Sequence, residues 1–246
     1  EKQICSIKIT LRGPGGHGSM PIRGGAMAQL SQVLRRLDRK PLPVHITPVP
    51  RAMFHTMARA PPLPMGLALR VMLVPAFTDR LLGFLGQPGQ MLGAMLHHTA
   101  SPTIVSGGHK INVIPSEIHL QLDGRLLPGY KLQDLLNELH ALLGEQVELE
   151  VTHFDPGPAE PDMALYDSLA LVLRELDPEG IPMPLLVPGV TDARFFSKLG
   201  IQTYGYLPMD LPPGLVSTIH GADERIPLEA MGLGTQAIQR VLQRYR

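Results

Sequence analysis

Apolar and polar residues alternate from Cys5 to Leu11, with Cys5, Ile7, Ile9 and Leu11 set against Ser6, Lys8 and Thr10. A two-residue period predicts a strand with one buried face. Beyond the loop RGPGGHGSMPIRGG, the residues Met27, Leu30, Val33, Leu34 and Leu37 recur at helical spacing, with Arg35, Arg36, Asp38 and Arg39 mostly on other faces. This is the stripe of a first amphipathic helix. PLPVHITPV reads as a short second strand whose prolines suit a sheet edge. Between Pro50 and Pro102 the pattern changes to Met, Leu, Ala, Gly and Pro, and MGLALRVML, DRLLGFL and QMLGAMLHH predict an insertion of two or three helices. Its Met and Leu stripe reads as packing material.

Regular alternation returns with SPTIVSGGHKINVIPSEIHLQLDGRLLPG. There Ile118, Leu120 and Leu122 face one way, and Glu117, His119, Gln121, Asp123 and Arg125 the other. A helix over Leu132 to Leu143 follows, then the strand QVELEVTHF with Val147, Leu149 and Val151 inward. The order strand, helix, strand, insertion, strands, helix, strand predicts a ferredoxin-like βαββαβ sheet with helices on one face and the other face open. DPGPAEPDM, Asp155 to Met163, is a proline-rich break and the natural boundary between a domain over 1–155 and a second region over 161–246. In that region a helix over Leu165 to Leu176, the apolar runs PLLVP and IQTYGYLP, and a last helix with Leu228, Met231, Ile238, Val241 and Leu242 predict a small, mostly parallel sheet with helices. Two strands are too few for an independent α/β domain.

Composition narrows the partners. With 44% hydrophobic residues the chain holds a real core, and its formal net charge of zero gives no electrostatic reason to expect nucleic acid or an anionic membrane. The 4% of aromatic residues, with no aromatic-rich strand, argues against an RNA-binding sheet. A single cysteine, Cys5, cannot form a disulfide within the chain. No apolar run reaches the roughly 18 residues of a membrane span. The first residue is Glu1 and the chain enters directly into strand alternation, which reads as the interior of a longer chain.

Five places carry candidate chemistry. In RGPGGHGSMP the glycines let backbone approach a ligand, and His17 in such a loop can donate to an oxyanion; the same pattern is also ordinary turn chemistry. Asn112 in GGHKINVIP can bind a carboxylate or carbonyl, or simply satisfy turn backbone. Arg125 is a carboxylate clamp, or it pairs with Asp123 or lies in solvent. In PGVTDARFF, Gly189, Thr191 and Asp192 form a turn into a helix; Thr191 or Asp192 reads as an N-cap, yet such turns are also where open α/β sheets bind ligands. His220, in STIHGADERIP, is a metal ligand or a surface loop histidine. A catalytic zinc needs about three protein ligands, and no HExxH, CxxC or HxD motif supplies the others.

Taken together and in this order, GPGGHGSMP, GGHKINVIPSEIHLQLDGRLLPG, PGVTDARFF and STIHGADERIP resemble the dizinc aminoacylase and carboxypeptidase family of carboxypeptidase G, acetylornithine deacetylase and succinyl-diaminopimelate desuccinylase. The helical insertion and HHTASPTIVSGGHKINVIP resemble its carboxypeptidase S-like and N-acyl-amino-acid hydrolase branch more narrowly. The resemblance implies a ferredoxin-like lid that dimerises through an exposed sheet edge and helix, joined to the C-terminal part of a zinc-exopeptidase α/β catalytic domain. It implies hydrolysis of an N-acyl amino acid or peptide by a two-zinc centre. His17 would reach across the dimer to the oxyanion, Asn112 and Arg125 would bind the substrate carboxylate, Gly189 to Asp192 would line the pocket, and His220 would ligate one metal. The family's remaining metal ligands and general base precede the lid, so His220 would be the one ligand represented, and a non-catalytic dimerisation module is the alternative reading. Val190 stands where many members have a second glycine.

Overall fold

The computed structural model describes residues 1–157, 162–216 and 218–245. The middle of the proline-rich break, 158–161, together with Ser217 and Arg246, lies outside the described residues. The chain divides into two compact units, one of Glu1–Glu160 with Leu185–Ile201 and the other of Pro161–Pro184 with Gln202–Arg246.

In the first unit, strand β1 (Gln3–Arg12) and the two-residue β2 (Gly16–His17) lead into helix α1 (Ala26–Arg39). Four short helices follow, α2 (Pro48–Met57), α3 (Leu63–Val71), α4 (Pro75–Phe84) and α5 (Gln87–Ala94). Strand β3 (Thr99–Ser106), the short β4 (Val113–Ile114), β5 (Glu117–Leu126), helix α6 (Leu132–Leu143) and β6 (Glu148–Asp155) complete the run. The strands make a four-stranded antiparallel sheet in the order β3-β5-β1-β6.

Alternation along β1 and β5 becomes two faces. Cys5, Ile7, Ile9 and Leu11 pack with Leu120, Leu122 and Leu126 under Val33 of α1 and Leu135, Leu139 and Leu143 of α6. Each fully buried leucine or isoleucine contributes roughly 1.5–3 kcal/mol, so this cluster holds the unit together. The opposite face is polar: Lys8 pairs with Glu150, Arg12 with Glu117 and Glu148, and the Thr10 hydroxyl lies 3.3 Å from His119 Nδ1. Helix α6 starts where the Asp134 carboxylate accepts from the Lys131 N–H at 2.8 Å, and it ends at Gly144, whose φ of 106° suits glycine.

The insertion corrects the sequence reading twice. It holds four helices, each with a proline in its first turn, where the missing N–H costs nothing. PLPVHITPV is not a strand: only Val44 bridges, to His97, because Pro41, Pro43 and Pro48 have no N–H to give a ladder. The sheet's remaining strand is β3, on the far side of the insertion. Met53, Phe54, Met72, Leu82, Met95 and Leu96 form a second core there, anchored to the sheet end by Leu127.

Later residues comprise α7 (Tyr166–Leu176), α8 (Ala193–Ser197), α9 (Pro213–Val216) and α10 (Leu228–Arg244). Neither PLLVP nor IQTYGYLP forms a strand among the described residues, which corrects the expected parallel sheet. In the first run Pro184 and Pro188 have no N–H to give a ladder. In the second unit, α10 packs on α7, with Ala230, Gly234 and Ala237 buried and Gly234 close to Pro208 and Met209, and Glu175 receives Arg240 and Arg244. The apolar stripe read from the sequence points elsewhere: Leu228 is 80% and Leu242 69% exposed.

Candidate functional site

Backbone hydrogen bonds tie the glycine loop after β1 to the β4 segment. Gly13 N–H donates to Ser116 O at 2.9 Å, Gly18 N–H donates to Asn112 O at 2.8 Å, and β2 pairs with β4 so that His17 stands opposite Val113. The approach favours glycine: a Cβ on Gly15 would lie 3.0 Å from Ile114 O, and one on Gly18 3.3 Å from the Asn112 backbone, both tight contacts. His17 and Asn112, which lie far apart in sequence, are thereby fixed side by side, both exposed. The Ser19 N–H donates to His17 Nδ1 at 3.3 Å, and the Ser19 hydroxyl is 2.8 Å from the same atom. A neutral imidazole that accepts at Nδ1 carries its hydrogen on Nε2. His17 therefore presents an N–H donor outward. The Asn112 side-chain amide makes no hydrogen bond among the described residues.

Arg125 is not part of this pair. Its Nε and Nη2 grip Asp123 at 2.6 and 2.8 Å, which is the pairing alternative read from the sequence. Eight residues of β5 separate it from Glu117 at the loop end, roughly 26 Å at a strand's rise. The Asp123 carboxylate holds the guanidinium's pKa above its ordinary value. One nitrogen, Nη1, stays buried without an acceptor among the described residues.

At the third place, the Thr191 N–H and hydroxyl both donate to one carboxylate oxygen of Glu1, at 2.5 and 2.6 Å. The Thr191 oxygen in turn accepts from the Ala193 N–H at 3.2 Å, starting α8; Asp192 makes no side-chain cap. A Cβ on Gly189 would make only ordinary contact, 3.9 Å from Val187 Cγ1, so the turn does not demand glycine there. His220 lies in the other unit, exposed, with φ 65°, its N–H donating to Glu224 Oε2 at 3.1 Å.

Sequence reasoning missed one cluster. His45, His98 and Glu138 offer ligand-type atoms within 4.8 Å of one another, His45 Nε2 lying 2.5 Å and His98 Nε2 3.9 Å from Glu138 Oε1. The Tyr130 ring meets both histidines, tilted against His45 at 4.6 Å and edge-on to His98 at 4.8 Å. Burial pulls the His98 pKa down to about 3, keeping the ring neutral, and burial pushes the Glu138 carboxyl upward against the opposing pull of His45. These residue types suit zinc, but the hydrogen bonding does not. The Leu127 N–H donates to His98 Nδ1 at 3.1 Å, so the neutral ring carries its hydrogen on Nε2, the atom that faces Glu138. Metal-bound histidines use the opposite arrangement, with the second nitrogen donating. The cluster is joined by the one His45–Glu138 hydrogen bond, while His98 Nε2 and Glu138 Oε2 are buried without a partner among the described residues. Among the described residues, then, no set fits a metal cage around His220.

A protein-family model, that of the peptidase dimerisation domain (M20_dimer), matches residues 1–149. Human N-fatty-acyl-amino acid synthase/hydrolase PM20D1 is 27% identical over 237 residues, covering 94% of this chain and 47% of that protein. The probable carboxypeptidase S-like 2 of Dictyostelium discoideum is 26% identical over 235 residues, covering 93% and 44%. Among solved structures, the M20 family metallo-carboxypeptidase Sso-CP2 from Sulfolobus solfataricus superposes with a TM-score of 0.60 at 14% identity, over 98% of this chain and 58% of that one. The last likeness is one of fold. The chain spans about half the length of the curated relatives it matches.

Proposed function

Because this chain belongs to the M20 peptidase dimerisation domain family, we propose that it works as the dimer-forming, substrate-gripping part of a metal-dependent amide hydrolase acting on N-acyl amino acids or peptides. Residues 1–155 are read as a ferredoxin-like lid with a helical insertion, and 161–246 as the C-terminal part of the catalytic domain. The observation that carries the reading is the β2–β4 ladder, which fixes His17 beside Asn112 with an outward Nε2–H. Such a donor, held by backbone, stabilises charge that develops on an amide oxygen and costs no reorganisation when it does. The free Asn112 amide can take a substrate carbonyl or carboxylate.

Two further features support the reading. Thr191 already binds a carboxylate oxygen through its N–H and hydroxyl, the chemistry a substrate carboxylate calls for. The outer strand β3 is exposed from Ser101 to Ser106 and leaves one backbone edge unpaired, a surface on which a second copy can add its own sheet. In that dimer His17 serves the partner's substrate. Zinc, the metal of this proposal, would polarise the scissile carbonyl and activate water when bound. His220 is the one ligand proposed from this chain, and the described residues do not surround it with others. The second reading, a non-catalytic dimerisation module, draws on that same shortage.

Hydrolysis of N-acyl amino acids by the purified chain with added zinc tests the assignment. The expected result is a dimer that does not turn over substrate, whichever reading of its role holds. Turnover abolished by His220→Ala would show that this chain builds a metal centre of its own and would overturn the division of labour proposed here.

A further inference from the structure

We propose that the cavity beneath the helical insertion binds a monocarboxylate carrying a linear apolar chain, at a site separate from the His17 loop. The cavity measures about 530 Å³ and lies among the end of α1, the α4–α5 pair, the first residues of β3 and Leu142 of α6. That volume is ordinary for a small-molecule site. Leu37, Leu42, Leu82 and Leu142 give it an apolar wall, and Gly83 and Gly93 leave room where side chains would otherwise fill it.

Most polar groups of its wall are already engaged, His98 Nε2 being buried without a hydrogen-bond partner among the described residues. His97 Nδ1 donates to Leu42 O at 2.5 Å and its Nε2 lies 3.0 Å from Asp79 Oδ1. His98 Nδ1 accepts from the Leu127 N–H, and the Thr99 hydroxyl accepts from Lys2. A ligand that brought its own polar groups inside would find few partners, so an apolar chain suits the interior. At the mouth the situation reverses. Lys40, Gln90 and Ser101 are exposed lining residues whose side chains make no hydrogen bond or ion pair among the described residues, and Lys40 is the cation there. An anionic head with a linear apolar tail matches both ends.

The site is remote from the proposed oxyanion donor. Thr99 and Ala100 of its wall pair with Arg125 and Gly124, which stand opposite Ile4 and Cys5, whereas His17 follows Arg12 at the other end of β1. Eight strand residues separate the two levels, about 26 Å. The inference therefore does not rest on the amide-hydrolase reading, and neither would fail with the other.

Calorimetric titration of the whole chain with octanoate, decanoate and dodecanoate below their micelle concentrations, and with acetate as control, tests it. Each added methylene is expected to tighten binding about fourfold, and acetate is expected not to bind. Gly83→Leu plugs the cavity from a position with open space around its Cβ, and Gly93→Leu plugs it from a Cβ site 3.5 Å from Leu82 Cδ1. Both replace a helical glycine with a better helix former, so the fold is retained, as an unchanged melting curve would verify. Either plug is expected to weaken dodecanoate at least tenfold; Lys40→Met is expected to weaken it severalfold while keeping the chain-length increment. Equal affinity for octanoate and dodecanoate, no binding at all, or dodecanoate binding that survives both plugs would overturn the site. Unchanged affinity in Lys40→Met would overturn the anionic head.

Discussion

Lys2 is 1% exposed although its side chain is ionisable, and its replacement by methionine gives a test of how the insertion is tied to the sheet. The ammonium donates to Ala94 O at 3.0 Å, His97 O at 2.9 Å and the Thr99 hydroxyl at 3.0 Å, clasping the end of α5 to the start of β3. Burial, then the nearby charge of Arg125, lowers its pKa from 10.5 to about 7. Between those values the unfolded chain holds a proton that the native one has released, so stability rises with pH across the window and the charged form is the costly one below it. A shift of that size carries at most roughly 5 kcal/mol. Three acceptors favour the ammonium and reduce this, leaving an expected slope of about 1 kcal/mol per pH unit from pH 7 to 8.5. Lys2→Met keeps the apolar stem and removes both titration and donors. Its stability should be flat over the same range after subtraction of the groups both proteins share, and about 2 kcal/mol below wild type at pH 8.5, from carbonyls left without a donor. The assay is urea unfolding followed through the methyl signals of Ile7 and Ile118, which report the first unit alone. Wild-type and variant curves that run parallel from pH 7 to 8.5 would refute the reasoning.

Three other outcomes are expected. Glu138→Gln keeps an acceptor for His45 but cannot ionise; because burial raises the native Glu138 pKa, wild type should lose stability relative to the variant as pH rises through and above 4.5, read by melting temperature at pH 4 to 7. Gly18→Val places a Cβ 3.3 Å from the Asn112 backbone and should loosen the His17 loop by about 1–3 kcal/mol, seen as faster hydrogen exchange at position 18 with the melting temperature of the sheet core unchanged. Val105→Lys, on the exposed edge strand, should shift the dimer to monomer in sedimentation without changing the circular dichroism spectrum.

Legibility in the sequence followed the local physics of each element. The strands β1 and β5 and the helix α6 could be read because a buried face imposes its period on the residues themselves: Cys5, Ile7 and Ile9 are each at most 1% exposed. PLPVHITPV misled because Val44 and Ile46 alternate as in a strand, while the property that decided the matter, the lack of proline N–H groups, concerns a ladder with another segment. Pro48 read as part of that edge strand, yet it begins α2. The strand β3 was hard to delimit because an edge strand exposed on both faces carries no burial pattern. Within the candidate site, the glycines on either side of His17 signal close backbone approach from their spacing alone. The His45–Glu138 contact spans 93 residues and leaves no spacing motif, so topology alone reveals it. Parallel strands were expected in the C-terminal region from apolar runs, but a strand is a relation between segments, and compositional runs do not supply the neighbour.

Native mass spectrometry of the whole chain in excess zinc tests most directly the central claim, that these residues provide a dimerising lid with oxyanion and carboxylate donors but no metal cage. The account predicts a dimer carrying no stoichiometric zinc. Two zinc ions retained per chain, lost on His220→Ala, would contradict it.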